Sequence, residues 1–359
     1  MLELYGEEFA QLNGFNDEQL SFTDFINNFI DAETVADASV DGNANVGSKD
    51  MRTLMNEMPK AHRKLLAYNK IYYELNKKYG FKTANEWLNR EWTKALYMHD
   101  ADTSTFVHYC FAYDLKDLAE RGLYFLNNFN AEPPKHLSTF VDFVKEFISF
   151  ASNRSSGAVG LPNLIPYLYY FWKKDCANGY ATKSDDYYAR QQIQRFIYAV
   201  NQPYVRDGMQ SAFTNVSVFD GPYLEALFGG AEFPDGTFMI DELDEIKEFQ
   251  KLFMEVVADI RQHNMFTFPV LSMSLLRQNG KFQDEEFARW CVAHNMQWND
   301  SNLFIDDSVT SLSNCCRLKS NIDDLGYFNS IGGTALKVGS VKVSTINLAR
   351  IALEHPQDE

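Results

Sequence analysis

Apolar and polar positions alternate along the chain in two different rhythms. From 59 to 79 (PKAHRKLLAYNKIYYELNKKY) apolar side chains return every three to four residues, which predicts a helix, with Gly80 as its C′ residue. The same spacing predicts helices over 83–99, 134–151 and 184–200; the third stops in the polar turn Asn153-Arg154-Ser155-Ser156-Gly157 and the fourth before Pro203. Residues 103–115 (TSTFVHYCFAYDL) are rich in β-branched and aromatic residues and predict a buried strand or strand edge carrying Cys110. The small, polar stretch 37–50 reads as a loop.

Past residue 200 the rhythm changes. Short β-like runs at 210–220, 266–276 and 338–353 are separated by helical stretches at 241–263 and 283–296. Strands alternating with helices predict a parallel α/β arrangement, a barrel or part of one, with its chemistry at strand ends and the loops that follow. The run at 338–353 reads as a parallel edge strand, whose unpaired ladder groups call for a further segment or a partner.

Composition narrows the picture. Hydrophobic residues make up 45% of the 359 positions and aromatics 15%, enough for a large core. No apolar run reaches the ~18 residues of a membrane span, and the acidic start MLELYGEEFAQLNG is no signal peptide, so a cytoplasmic location without a membrane is expected. With 33 Lys and Arg against 49 Asp and Glu, the net charge of −16 disfavours a nucleic-acid polymer as partner. Small anions remain eligible, because a few local cations and backbone N–H groups outweigh distant charge.

The five cysteines, Cys110, Cys176, Cys291, Cys315 and Cys316, are too sparse for a disulfide framework, and neither a CxxC pair nor a close histidine pair suggests a zinc site. Cys315 and Cys316 are adjacent, in Ser311-Leu312-Ser313-Asn314-Cys315-Cys316-Arg317-Leu318. A disulfide between neighbours strains the intervening peptide. Vicinal thiols therefore point to redox chemistry, metal capture or simple burial, and spacing alone leaves these open. Cys176 reads as part of a polar loop (KKDCANGY) and Cys291 as a structural helix residue; His99 and His108, flanking the Cys110 strand, also read as structural.

In these surroundings the cysteine loop resembles that of the anaerobic (class III) ribonucleoside-triphosphate reductases. The resemblance extends in order through HYCFAYDL (108–115), FASNRSSGAVGLPNLIP (150–166), NQPYVRDGMQSAFTNVSVFD (201–220), AEFPDGTF (231–238) and FNSIGGTALKVGSVKVSTINLARIAL (328–353). It implies an α/β fold: part of the ten-stranded barrel of ribonucleotide reductases and glycyl-radical enzymes, with a mainly helical region over 1–100 and the barrel over 101–359, including the cysteine loop 311–318. It further implies that Cys316 becomes the thiyl radical that removes the 3′-hydrogen of a ribonucleotide. Cys110 would act as reductant on the other face of the ribose, and Asn314 would hydrogen-bond the sugar. Ser313, Arg317, Asn215, Gly332 and Gly333 are the implied substrate-binding positions; Gly332-Gly333 with Lys337 could cradle a phosphate or be a plain turn. The turn bearing Arg154, Ser155 and Gly157 would lie near a nucleoside-triphosphate effector at a homodimer interface, or be an ordinary loop.

Two positions qualify the resemblance. Leu318 stands where aerobic relatives carry a glutamate, in keeping with the anaerobic branch. Asn314 stands where many formate-using members carry methionine, so formate and a thioredoxin-type reductant, the latter acting through a Cys110–Cys315 pair, both stay open. The glycyl-radical motif and the four-cysteine zinc site of the family are not in this sequence. The expectation is therefore a chain that binds no cofactor of its own. It would be inactive until joined by a C-terminal fragment bearing the glycyl radical and zinc, and by a radical-SAM activating enzyme. A formate-lyase-like glycyl-radical enzyme and a non-catalytic nucleotide-binding fragment are the competing readings.

Overall fold

The computed structural model describes residues 21–31, 51–125, 130–181, 185–207, 210–313, 319–321 and 339–355. The N-terminal part holds helices α1 (Phe22–Asp31), α2 (Met51–Glu57), α3 (Lys60–Tyr79) and α4 (Phe81–Trp92), then the short strand β1 (Leu96–Met98) and the single turn α5 (Ala101–Ser104). Next come β2 (Cys110–Ala112), α6 (Lys116–Arg121), α7 (Leu137–Ser152), β3 (Val159–Leu161), α8 (Leu164–Ala177) and α9 (Asp185–Val200). They are followed by β4 (Thr214–Phe219), α10 (Gly221–Phe228), α11 (Leu243–Arg261), β5 (Val270–Gln278), β6 (Lys281–Phe282), α12 (Glu285–Trp298) and β7 (Ser301–Asp306). The described C-terminal part contributes β8 (Ser311–Ser313), β9 (Lys319–Asn321), β10 (Gly339–Ser340), β11 (Ser344–Ile346) and α13 (Leu348–Glu354).

Strands β2, β3, β4, β5 and β7 lie side by side and mutually parallel, each joined to the next through helix. This is the predicted α/β arrangement, a curled half-barrel sheet. Residue alternation gives the sheet two unlike faces. Val159, Leu161, Val216, Val218, Leu271, Met273 and Leu275 point one way and pack into one core with Phe140 and Ile148 of α7, Leu168 of α8, Phe196 of α9 and Phe253 of α11. The register puts Cys110, Ala112, Gly160, Asn215, Ser217, Ser272 and Ser274 on the opposite face. Over these positions that face is small and polar, with Phe219 and Val270 also on it at the ends of β4 and β5.

The N-terminal helices form a satellite cluster around Tyr68, whose ring meets Trp87 edge-on at 5.7 Å and packs with Met98 and Ala101. Its hydroxyl donates to the buried Glu91 carboxylate at 3.1 Å, and burial raises the Glu91 carboxyl above its ordinary value.

Several predicted boundaries shift, each for a long-range reason. The helix expected over 83–99 ends at Trp92: Lys94 takes φ +56°, and 96–98 leave the helix to pair with β11. The run 338–353 is not a parallel strand. Its Gly339–Ser340 pair antiparallel to β2, Ser344–Ile346 pair with β1, and Asn347 caps α13 by accepting from the Arg350 N–H. The two strand pieces thus find their partners early in the chain, one in the N-terminal part and the other in the first strand of the parallel sheet. Cys176 sits in the last turn of α8, a helix that carries so many buried aromatics that its periodicity is blurred. Helix α10 and strands β3 and β7 were also not evident from the pattern.

Candidate active site

Cys110 opens β2 and points to the small, polar face, where it is a buried thiol in no disulfide. The backbone N–H of Ala158 donates to its Sγ at 3.1 Å. Beside it, Gly157 donates to the Tyr109 carbonyl at 2.5 Å, Ser156 N–H donates to the His108 carbonyl at 3.1 Å, and Phe111 N–H to the Ala158 carbonyl at 3.0 Å. Residues 156–158 therefore run as a strand-like lead into β3, laid against the sulfur. A Cβ at Gly157 would lie 2.5 Å from the Cys110 Sγ and 2.7 Å from the Tyr109 carbonyl oxygen, so this approach requires glycine.

On the far side of that lead lies Arg206. Its guanidinium donates to the carbonyls of Ser156 (2.8 Å), Ser155 (3.2 Å) and Gly157 (3.3 Å) and sits 4.5 Å from the Phe213 ring centroid. Burial lowers its basicity, while the acidic groups facing it, Asp100 first, then Cys110 and Tyr109, raise it. Asp100 has φ +46°, and burial, then the nearby Asp102, raises its carboxyl above the ordinary range. Asp102 is held by Arg63 at 3.1 Å. Together Arg63, Asp100, Asp102, Ser155, Ser156 and Arg206 border a cavity of about 170 Å³.

Two strands away from Cys110, Asn215 donates through its amide to the Val270 carbonyl at 2.9 Å and to Ser272 Oγ at 3.1 Å. The amide is thereby fixed across β4 and β5. Ser217 and Ser274 lie on the same face, and the buried Ser274 Oγ has no partner among the described residues. A thiol at one edge and a row of hydroxyls and an amide beyond it suit a polar ligand.

Of the other expected site residues, Ser313 ends β8 and pairs with Lys319 of β9, in a hairpin beside β5. Asn314, Cys315, Cys316 and Arg317, like Gly332, Gly333 and Lys337, lie outside the described residues. The effector turn divides: Arg154 is exposed with its guanidinium over the Phe150 ring at 3.5 Å, whereas Ser155 and Gly157 are buried toward Cys110. His99 bonds Thr345 Oγ1 at 2.7 Å, tying β1 to β11, and the exposed His108 lies against the Phe111 ring at 5.3 Å. Among the described residues no three His, Cys, Asp or Glu side chains converge as metal ligands, so these residues do not fit a zinc ion.

The sequence reading passed over Ser217, Ser272, Ser274 and Arg206. The serines carried a signal, small polar residues at every second position of otherwise aliphatic strands. Arg206 carried none.

The sequence model of anaerobic ribonucleoside-triphosphate reductases matches residues 43–359. The chain belongs to that family. An anaerobic ribonucleotide reductase of Thermotoga maritima, solved in complex with dATP and CTP, is 38% identical and superposes with a TM-score of 0.79, covering 99% of this chain and 55% of that one. The same protein solved with citrate in the active site gives a TM-score of 0.79 at 38% identity, covering 99% of this chain and 61% of that one. A further anaerobic ribonucleotide reductase is 39% identical with a TM-score of 0.80, covering 99% of this chain and 54% of the other. The chain thus spans little more than half the length of these reductases. No match was found among curated proteins.

Proposed function

We propose that this chain supplies the ribonucleotide-reducing face of an anaerobic ribonucleoside-triphosphate reductase, with Cys110 as the thiol that acts on the 2′-hydroxyl of the substrate. The observation that carries the reading is the buried Cys110 thiol on the same face of the parallel sheet as Asn215 and Ser272. In this reading residues 1–100 buttress the first part of the barrel, 101–359, and the loop 311–318 brings Cys316 to the other side of the ribose. Removing a hydroxyl from an unactivated carbon is slow by polar routes. A radical at C3′ weakens the neighbouring C2′–O bond, so Cys316 as a thiyl radical takes the 3′-hydrogen and later returns a hydrogen.

In balance, the ribonucleotide takes up two electrons and two protons and yields the deoxyribonucleotide and water. The electrons come from formate or from a dithiol renewed by a thioredoxin-type protein, with Cys315 as the second sulfur in the latter case. Asn314, Ser313, Arg317, Asn215 and the Gly332-Gly333 turn hold sugar and phosphates. Arg154, exposed at its turn, is the part of the effector site that a nucleoside triphosphate would meet at a homodimer interface. The glycyl radical that generates the thiyl species, and zinc, belong to a C-terminal fragment charged by a radical-SAM enzyme.

The test is anaerobic reconstitution of the chain with such a fragment and activating enzyme, assaying each ribonucleoside triphosphate for deoxynucleotide. Turnover is expected from the mixture, none from the chain alone, and a loss of at least about 1000-fold in Cys110→Ser with nucleotide binding retained. Full turnover by Cys110→Ser would sink the assignment of that thiol.

A further inference from the structure

The geometry points to Arg206 as a positioning residue for Cys110: it pins the Ser155–Gly157 backbone against the sulfur and supplies the positive charge that stabilises the thiolate left when Cys110 gives up its proton. This deepens the reading of Cys110 as the reducing thiol and rests on it. One guanidinium reaches three successive carbonyls, those of Ser155, Ser156 and Gly157. The peptide that follows donates its Ala158 N–H to the Cys110 Sγ at 3.1 Å. Gly157 leaves no room for a Cβ beside the same sulfur, so a shift of this backbone moves an N–H donor of the thiol. A planar five-donor cation suits the task; an ammonium group cannot span three carbonyls in fixed geometry.

The charge matters at one step. When the 2′-hydroxyl leaves, the Cys110 S–H bond breaks and its proton joins that oxygen, which departs as water with the C2′–O electron pair. The S–H electron pair stays on sulfur as a thiolate. The substrate radical cation then passes its 3′-hydroxyl proton to a water molecule, so one thiol and one C–OH have become one thiolate, one water and one hydrated proton, and charge balances. A thiolate inside a protein needs a nearby cation and an N–H donor. Arg206 and Ala158 provide them. The titratable groups facing Arg206 are Asp100, Tyr109 and Cys110, and Asp102 beside Asp100 is taken up by Arg63.

The experiment follows the pH dependence of Cys110 modification by methyl methanethiosulfonate in the full chain, resolved cysteine by cysteine by peptide mass spectrometry. Arg206→Met is expected to react about tenfold more slowly at Cys110 at neutral pH, with the reaction midpoint moved to higher pH. Arg206→Lys should restore most of the midpoint, because the charge returns even where the three-carbonyl clasp does not. Cys291 serves as the internal control. An unchanged midpoint in folded Arg206→Met, or faster reaction at every pH with the midpoint in place, makes Arg206 a structural prop and overturns the proposal. Should Arg206→Met fail to fold, Arg206→Gln, which keeps two donors and drops the charge, reads the same midpoint. Turnover of Cys110→Ser in the reconstituted enzyme separately tests the underlying reading, so the two failures are distinguishable.

Discussion

Cys110 and Cys291 are both buried thiols, yet their surroundings differ. Cys291 lies within α12 in the main core, and burial, then the charges of Asp220 and Asp284, pushes its thiol up to about 12. It is expected to resist alkylation in the folded chain at pH 8 and to react only on unfolding; labelling of Cys291 at the rate of the half-buried Cys176 would contradict this. Cys110 instead faces an N–H donor and an arginine-held backbone. Gly157 is the residue that makes this contact. Gly157→Ala forces a methyl to within 2.5 Å of the sulfur and 2.7 Å of a carbonyl oxygen that belongs to the backbone and cannot rotate away. We expect a loss of about 1–3 kcal/mol in urea unfolding, with altered Cys110 reactivity; wild-type values for both would show that the backbone gives way freely.

Alternation within strands decides what each element can do. In β4 and β5 the aliphatic positions bury against α8 and α11, and the central intervening positions are Asn215, Ser217, Ser272 and Ser274, with Val270, Phe219 and Leu276 further along the same face. A strand built for burial on both faces would carry Val or Leu at these sites too. The link from β4 to α10 depends on Asp220, whose carboxylate accepts from the Tyr223 N–H at 3.1 Å as helix cap and from the Leu276 N–H of β5 at 2.6 Å. Asp220→Ala removes the cap and orphans a buried strand N–H. The expected cost is about 2–4 kcal/mol in chemical denaturation; a change within ~0.5 kcal/mol would mean that water or another donor takes its place. Pairing also overrides local preference: 96–98 continue a helical pattern but form β1 because β11 offers a ladder.

Across the molecule, distant segments close on one another. The stretch 339–347 pairs with β2 and β1, the His99 N–H reaches the Val343 carbonyl at 3.0 Å, and Arg350 reaches the Thr93 carbonyl, so the N- and C-terminal parts share the Cys110 edge. On the opposite side Asp300 joins α11, α12 and β7. It is reached by Arg261 at 3.1 Å, Ser301 Oγ at 2.7 Å and His294 at 3.3 Å. Burial works against its ionisation, but His294, Ser301 and Arg261 hold the carboxyl below its ordinary value. The stabilisation is therefore complete above the usual carboxylate range and is lost as pH falls through the depressed folded-state value. His294→Gln takes away part of what holds Asp300 ionised, raising that value, so the acid-unfolding midpoint followed by tryptophan fluorescence should move to higher pH. An unmoved midpoint would show that Arg261 alone suffices.

Helices α3, α7, α9, α11 and α12, the strand at Cys110 and the parallel α/β plan could be read from residue order, since burying one face of a helix or strand imposes a period that survives in the chain. The pairings of β1 with β11 and β10 with β2, the burial of Gly157 against a sulfur, and the clasp of Arg206 on three carbonyls could not. Each joins residues 45 or more positions apart, and contacts of that range leave no local periodicity, because they exist only once the chain has folded back on itself.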